Sequence, residues 1–363
     1  MIFQYSLSIC LIIGTMAMYS QLDYLKSKPL GYDGDQVVMI PTQNADAGQY
    51  LSIIRDQAQS KPGIVSVSGT SSSFTQGGAW GTKEITLDGK SINALDYKVD
   101  NKYIETLGIE LLAGRNFSNA FPSDPSKAII VNQAFIEELE LESPIGKTVA
   151  FRGQRVIIGI AENFHFQSLH EKVSPLVLHI SEGWPLMHIA VRIQPGQIVE
   201  SIGILETTWK ELMPGQSFEF HFLDEQMDRL YRQEERWTEI ITYVALLAIL
   251  IACIGLVGLT SIITENRKKE IGIRKLLGAT IPQLLMLITG NFVLIFGIAF
   301  FIATPVSYLL VSNWLNSYAY HTELSWWIVA SSGIFTLLIA LVALSYQAIK
   351  AALMNPVESL RSE

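Results

Sequence analysis

Four apolar runs constrain this chain more than any other feature. They occupy residues 3–19, 240–263, 284–311 and 325–349. A helix of roughly 20 apolar residues crosses the hydrocarbon core of a bilayer, so four membrane spans are expected. A cleaved leader is the competing reading of the first run. The absence of a basic n-region, and of a small-x-small site before Gln21, favours a span. The chain has a net charge of −8, yet the short stretch 265–280, ENRKKEIGIRKLLGAT, holds five of its 26 Lys and Arg residues. Cytoplasmic loops beside membrane helices accumulate such residues. That places both termini in the cytoplasm and residues 21–237 outside. The loop 312–324 has no Lys or Arg, as expected of the outer side, and Trp314, Tyr318, Tyr320, Trp326 and Trp327 suit an interfacial aromatic belt.

A chain of 363 residues is long for one domain, and residues 21–237 supply the second kind of structure. Alternating and continuous apolar patterns there predict strands at 36–40, 64–68, 84–87, 93–99, 128–131, 156–161, 188–193 and 217–223. Helices are predicted at 47–59, 101–107, 132–140 and 198–211, with Asn101 and Asn132 as N-caps. Asp88-Gly89 marks a hairpin turn, and the Ser/Gly-rich segment 69–81 reads as an exposed linker between lobes. This is an α+β domain whose ends form one βαβ-like lobe and whose middle is inserted as a second. From Asp224 the pattern turns helical, with Met227, Leu230, Tyr231 and Trp237 near one face. With no Gly or Pro before the second apolar run, one helix is expected from 224 to about 264. Pro305 should kink or break the third span.

Chemistry is sparsely signalled. Cys10 and Cys253 both sit in apolar runs, so no disulfide framework is implied. None of the six histidines joins an HExxH or Cys/His set, so no metal is assigned, and His165 and His170 read as polar surface or lobe-interface residues. There is no GxSxG elbow and no P-loop, which leaves no catalytic residue and no cofactor. Mild acidity argues against a nucleic-acid partner. The spans carry almost no ionisable groups, against an ion-coupled carrier. Ala245, Ala248, Ala252, Gly255 and Gly258 form a small-residue stripe suited to close helix packing or to dimerisation. The basic stretch has a second property. Ile271, Ile273, Leu276 and Leu277 alternate with charged and small residues, with Gly278 as a stop, so that a short amphipathic helix suited to docking a soluble partner is expected.

The run Glu270-Ile-Gly-Ile-Arg-Lys-Leu-Leu-Gly-Ala279 resembles the signature loop of FtsX/MacB-type ABC-transporter permeases, and Asn355-Pro-Val-Glu-Ser-Leu-Arg-Ser362 resembles the C-terminus usual in Bacteroidetes-type members. Gly108-Ile-Glu-Leu-Leu-Ala-Gly-Arg-Asn-Phe117, Val131-Asn-Gln-Ala-Phe135, Pro144-Ile-Gly-Lys147 and Phe164-His-Phe-Gln-Ser-Leu-His-Glu171 resemble landmarks of the MacB-type periplasmic core, with Asn163 standing where Asp is expected. Phe3-Gln-Tyr-Ser-Leu-Ser-Ile-Cys-Leu-Ile-Ile-Gly-Thr15 resembles the helix that opens the second half of double-length permeases, so the chain is expected to be one such half or a truncated gene product.

The resemblance implies a first transmembrane helix at 1–20, a core domain at 21–237 with a stalk helix from 224, and a permease domain at 238–363. It further implies a multi-pass inner-membrane protein coupled to a separate cytoplasmic ABC ATPase. Arg267, Lys268, Lys269, Arg274 and Lys275 would attract that ATPase, Ile271, Ile273 and Leu276 would anchor it, and Glu270 and Gly278 complete the coupling loop. A second permease half or a homodimer partner, the lipid bilayer and a periplasmic adaptor complete the implied partners. An FtsX-like signalling module, controlling a periplasmic partner without transport, is the alternative.

Overall fold

The computed structural model describes residues 1–42, 46–59, 61–73, 81–87, 89–166, 169–180, 185–266, 273–274, 277 and 281–352. Two compact units emerge. One comprises Lys28–Arg232, and the other combines Met1–Ser27 with Gln233–Glu363.

In the first unit, β1 (Val37–Pro41), α2 (Ala47–Gln59) and β2 (Ile64–Thr70) come before a long insertion, and β10 (His188–Ile193), α6 (Ile198–Leu212) and β11 (His221–Phe222) come after it. The four strands form one sheet in the order β11-β1-β10-β2, with every neighbouring pair antiparallel. β1 and β2 are therefore parallel across α2, and β10 and β11 parallel across α6, which is the split βαβ arrangement of a ferredoxin-like fold. Periodicity explains the helices. Ala47, Leu51 and Ile54 turn one face of α2 to the sheet, and Leu205, Trp209 and Met213 continue the same core along α6.

The insertion builds a second, seven-stranded sheet. Its strands are β3 (Gly81–Leu87), β4 (Lys90–Lys98), β5 (Leu111–Gly114), β6 (Ala128–Asn132), β7 (Thr148–Ala150), β8 (Gln154–Ala161) and β9 (Leu176–His179), in the order β5-β8-β6-β9-β4-β3-β7. β7 also pairs with β8, so six of these strands close on themselves. Short helices α4 (Asp124–Lys127) and α5 (Gln133–Leu139) cover it, whereas α3 (Tyr103–Leu107) packs on β2 and β10 of the first sheet. The continuous apolar run of β6 has a simple cause. Ile129 and Val131 face one cluster with Phe135 and Val177, while Ala128 and Ile130 face another with Tyr97 and Phe164. A strand buried on both faces needs no alternation.

The ends and the middle of the segment thus sort into two sheets as the pattern predicts, but not into independent lobes. Val37, Met39 and Ala190 of the first sheet share a buried cluster with Leu95, Leu176 and Leu178 of the second. The expected cap at Asn101 is not used. α3 starts at Tyr103, its N-cap Lys102 makes no side-chain cap bond, and Asp100 Oδ1 accepts from the Lys102 amide (3.1 Å) instead. Asn132 does cap α5, accepting from Phe135 N at 3.1 Å. The strand expected at 217–223 shortens to β11, because Leu223 already begins the next helix.

That helix, α7 (Leu223–Asn266), is unbroken over 44 residues, roughly 65 Å at 1.5 Å per residue. Its anticipated apolar face is not continuous. Tyr231 is buried but Trp237 is 54% exposed, and the side chains of Met227 and Leu230 lie outside the described set. The spans of the second unit are α1 (Ile2–Ser27), most of α7, α8 (Ile281–Leu315) and α9 (Trp326–Ala352), all long and apolar enough to cross a membrane. Pro305 does not interrupt α8.

Burial titrates the first unit. His165, 7% exposed, has its imidazole pushed down to about 4, chiefly by loss of solvent and secondarily by Lys28. It is therefore not a surface residue. His188 is also lowered to about 4, by burial and then by His221. A lowered histidine stabilises the fold fully above its unfolded value near 6.5. That stability is lost as pH falls from there toward 4, at about 1.4 kcal/mol per pH unit per group. Acidification of the full chain from pH 7 to 5 should accordingly lower its thermal midpoint. His165→Gln should remove about 2 kcal/mol of that acid sensitivity, and an acid shift identical in wild type and variant would refute it.

Candidate functional site

The basic stretch lies between α7 and α8. Glu265 and Asn266 end α7 in exposed positions. Ile273 and Arg274 are helical and exposed, and Leu277 N donates to Ile273 O at 3.0 Å, closing one helical turn. Ile273 is 50% and Leu277 82% exposed. Two large apolar side chains one turn apart thus stand in solvent beside an arginine. Single exposed apolar residues are ordinary, but a spaced pair with a cation is what a docking helix presents. Arg267, Lys268, Lys269, Glu270, Ile271, Lys275, Leu276 and Gly278 lie outside the described residues.

Small residues position the helices that carry this turn. Ser6 Oγ donates to Ala299 O (3.1 Å) and Cys10 Sγ to Ala303 O (3.6 Å), a parallel ladder in steps of four between α1 and α8. Ala299 and Ala303 are fully buried there, letting the backbones approach. α1 and α7 run antiparallel: a Cβ on Gly255 would stand 3.2 Å from Gln4 Oε1, and the Lys26–Glu235 ion pair joins the opposite ends. Of the small-residue stripe, Ala245 and Ala252 are buried, whereas a Cβ on Gly258 would meet nothing within 4 Å. The α7 span is the least covered of the four, with 17% of its apolar window buried against 39% for α1.

Polar residues tie down the remaining connections. Gln21, 1% exposed, donates from Nε2 to Tyr320 O (2.9 Å) and accepts at Oε1 from Thr322 N (2.8 Å), fixing the α8–α9 loop to the end of α1. A lone glutamine closing an apolar run is the sequence signal for this contact. Within the first unit, Asp96 and His179 are fully buried and 2.6 Å apart, with Arg152 Nε donating to the other Asp96 oxygen at 2.8 Å. Burial alone would raise the Asp96 carboxyl, but the His179 and Arg152 contacts outweigh it and hold it below the usual range. Nothing in the spacing of these three residues foretold the network. Among the described residues no group of three potential ligands could hold a metal ion.

The landmark motifs have structural roles. Gly108 closes α3 in the left-handed conformation (φ +63°). Arg115 makes a two-pronged bond to Asp124 (2.7 and 2.8 Å) and lies 3.8 Å over the Phe121 ring. Asn132 bonds Ser174 O and Leu176 N as well as its helix. Phe164 and Phe166 stack edge to face in the core. At the departing position, Asn163 Oδ1 accepts from Ala134 N (2.9 Å) at the start of α5, an acceptor role either Asn or Asp fulfils.

The MacB-like periplasmic core domain family matches residues 6–202, and the FtsX-like permease C-terminal family matches residues 242–356. The chain is 22% identical over 275 residues to the uncharacterized ABC transporter permease YknZ of Bacillus subtilis, covering 73% of this chain and 69% of that protein. It is 24% identical over 208 residues to the macrolide export ATP-binding/permease protein MacB of Neisseria gonorrhoeae, covering 54% of this chain and about a third (32%) of MacB. The periplasmic region of MacB from Actinobacillus actinomycetemcomitans superposes with a TM-score of 0.41 at 17% identity, over 55% of this chain and 94% of that one. With one of the two families spanning more than half of its length and the other most of the remainder, this chain belongs to the FtsX/MacB-like ABC transporter permeases.

Proposed function

We propose that the chain is the force-transmitting permease subunit of an ABC exporter. In this reading a separate cytoplasmic ATPase docks on residues 267–278, and ATP-driven closure moves the unit Lys28–Arg232 on the far side of the membrane. The observation that carries it is α7. One unbroken helix begins directly after the last strand of the first unit and ends at Asn266, ahead in the chain of exposed Ile273, Arg274 and Leu277. A continuous hydrogen-bonded rod transmits displacement without unfolding, as a flexible linker would not. The scarcity of ionisable groups in the spans supports export by mechanical movement rather than through a polar pathway. The chain itself hydrolyses nothing here. Both termini lie in the cytoplasm, and a second permease half or a second copy completes the transporter.

Arg267, Lys268, Lys269, Arg274 and Lys275 supply long-range attraction, while Ile271, Ile273 and Leu276 supply the buried anchor. Reversing Lys268, Lys269 and Arg274 to Glu should weaken co-purification of the ATPase by about tenfold or more, with a smaller difference at high salt. Unimpaired association of the triple variant would sink the docking reading.

A further inference from the structure

We propose that the cleft α1 forms with α8 and, toward the end of the spans, with α7 is a binding site for one phospholipid with an amine-bearing headgroup. The inference is independent of the ATPase reading and rests only on α1, α7 and α8.

Two cavities follow one another along α1, the first shared with α8 and the second with α7. The lower, about 340 Å³, is apolar and lined by Leu7, Leu11, Gly14, Ile241, Ser307 and Trp314 among others. The upper, about 380 Å³, lies where α1 and α7 reach the end of the spans, and is lined by Tyr19, Asp23, Lys26, Glu235, Thr238 and Glu239. Met18 lines the first and Leu22, one turn further along the same face of α1, the second; on α7 Ile241 and Thr238 are likewise one turn apart. An apolar trough therefore runs into a polar crevice, the profile of an acyl chain below a headgroup.

The trough has a cause in the α1–α8 ladder. Ser6 pairs with Ala299 and Cys10 with Ala303, and the next step of four places Gly14 opposite Ser307. Gly14 has no side chain to fill the space, and a Cβ there would meet nothing within 4 Å. Ser307, 1% exposed, is left with a buried hydroxyl that bonds nothing. A buried, unpaired hydroxyl facing an apolar trough is costly in lipid unless something supplies an acceptor, and an ester carbonyl of a bound lipid is such an acceptor.

Charge selects the headgroup. Lys26 is ion-paired with Glu235, while Asp23 and Glu239 make no ion pair among the described residues. Three carboxylates against one ammonium attract a headgroup amine, with Lys26 beside them for its phosphate. A purely anionic headgroup would meet net repulsion.

Native mass spectrometry of the full chain in mild detergent tests this, with added phosphatidylethanolamine or phosphatidylglycerol of the same acyl chains. One retained phosphatidylethanolamine, favoured about fivefold over phosphatidylglycerol, is expected. Asp23→Asn with Glu239→Gln should erase that preference. Gly14→Leu, which fills open space rather than clashing, should abolish retention while the helical circular dichroism is unchanged. Equal retention of the two lipids by wild type, or retention unaltered by both variants, would mean annular lipid only and overturn the site. Should Gly14→Leu fail to fold, the carboxylate variant decides alone.

Discussion

Arg115→Ala is expected to destabilise the unit Lys28–Arg232 by about 3 kcal/mol, the range for stripping the partner from a buried charge. Asp124 is 2% exposed and accepts both guanidinium prongs at 2.7 and 2.8 Å. Without Arg115 its carboxylate keeps, among the described residues, the Ser118 amide at 3.2 Å. The packing of the guanidinium over Phe121 is lost as well. Arg115→Lys should recover less than half, because an ammonium cannot make the two-pronged bond or lie flat on the ring. The pair also carries a pH signature. The hydrogen bond from Arg115 is the main reason the Asp124 carboxyl is held below its usual range. A lowered carboxyl contributes stability above the unfolded value near 3.9 and loses it as pH falls through the folded value. The difference between wild type and Arg115→Ala should therefore shrink below about pH 4. Opening free energies from hydrogen exchange at β6 and β8 amides in the full chain would show it. A loss under about 0.5 kcal/mol, the level of an ordinary surface substitution, would contradict the argument.

The second large effect is expected one residue earlier. Gly114 has φ +81°, and a Cβ there would stand 2.2 Å from the carbonyl oxygen of Ile158. Gly159, its partner in the β5–β8 pairing, is equally close on the other side: its Cβ would fall 2.6 Å from Arg115 O. The obstacle is backbone on both sides, which cannot rotate away. Gly114→Ala must therefore push β5 off β8 or break the Arg115 N to Ile158 O bond (2.9 Å). Strain and overpacking together amount to about 3 kcal/mol or more. Gly146 provides the control. Its φ is +84° but a Cβ would meet nothing within 4 Å, so Gly146→Ala should cost only about 1 kcal/mol of conformational strain. Equal losses in the two variants, measured by the same hydrogen exchange, would show that close approach is not what β5 demands.

These residues show where sequence reading succeeds and stops. The motif around Gly108 to Phe117 was recognisable as a string, but its reasons are contacts with Asp124, Phe121 and Ile158, which the string does not display. The helical turn from Ile273 to Leu277 is a local feature that a sequence can display, while the rest of the expected amphipathic helix lies outside the described residues. Asn101 and Asn132 were equally good caps by type. Only the chain path decided between them, since Asp100 already served the Lys102 amide at the start of α3.

The sequence by itself determined the four spans, because a bilayer offers unpaired peptide groups no partner and a long apolar run has no option but a helix. It also indicated the longer strands and helices of the unit Lys28–Arg232, since periodicities of two and 3.6 are written residue by residue, but not the short β5, β7, β9 and α4, whose three or four residues carry no period. Tertiary structure alone decided that the two sheets share one core, that Asp96, His179 and Arg152 meet although 96 and 179 are far apart in the chain, and that Gly14 opens a cleft facing Ser307. Each of these depends on which side chains arrive together from distant segments, and no local periodicity carries that information.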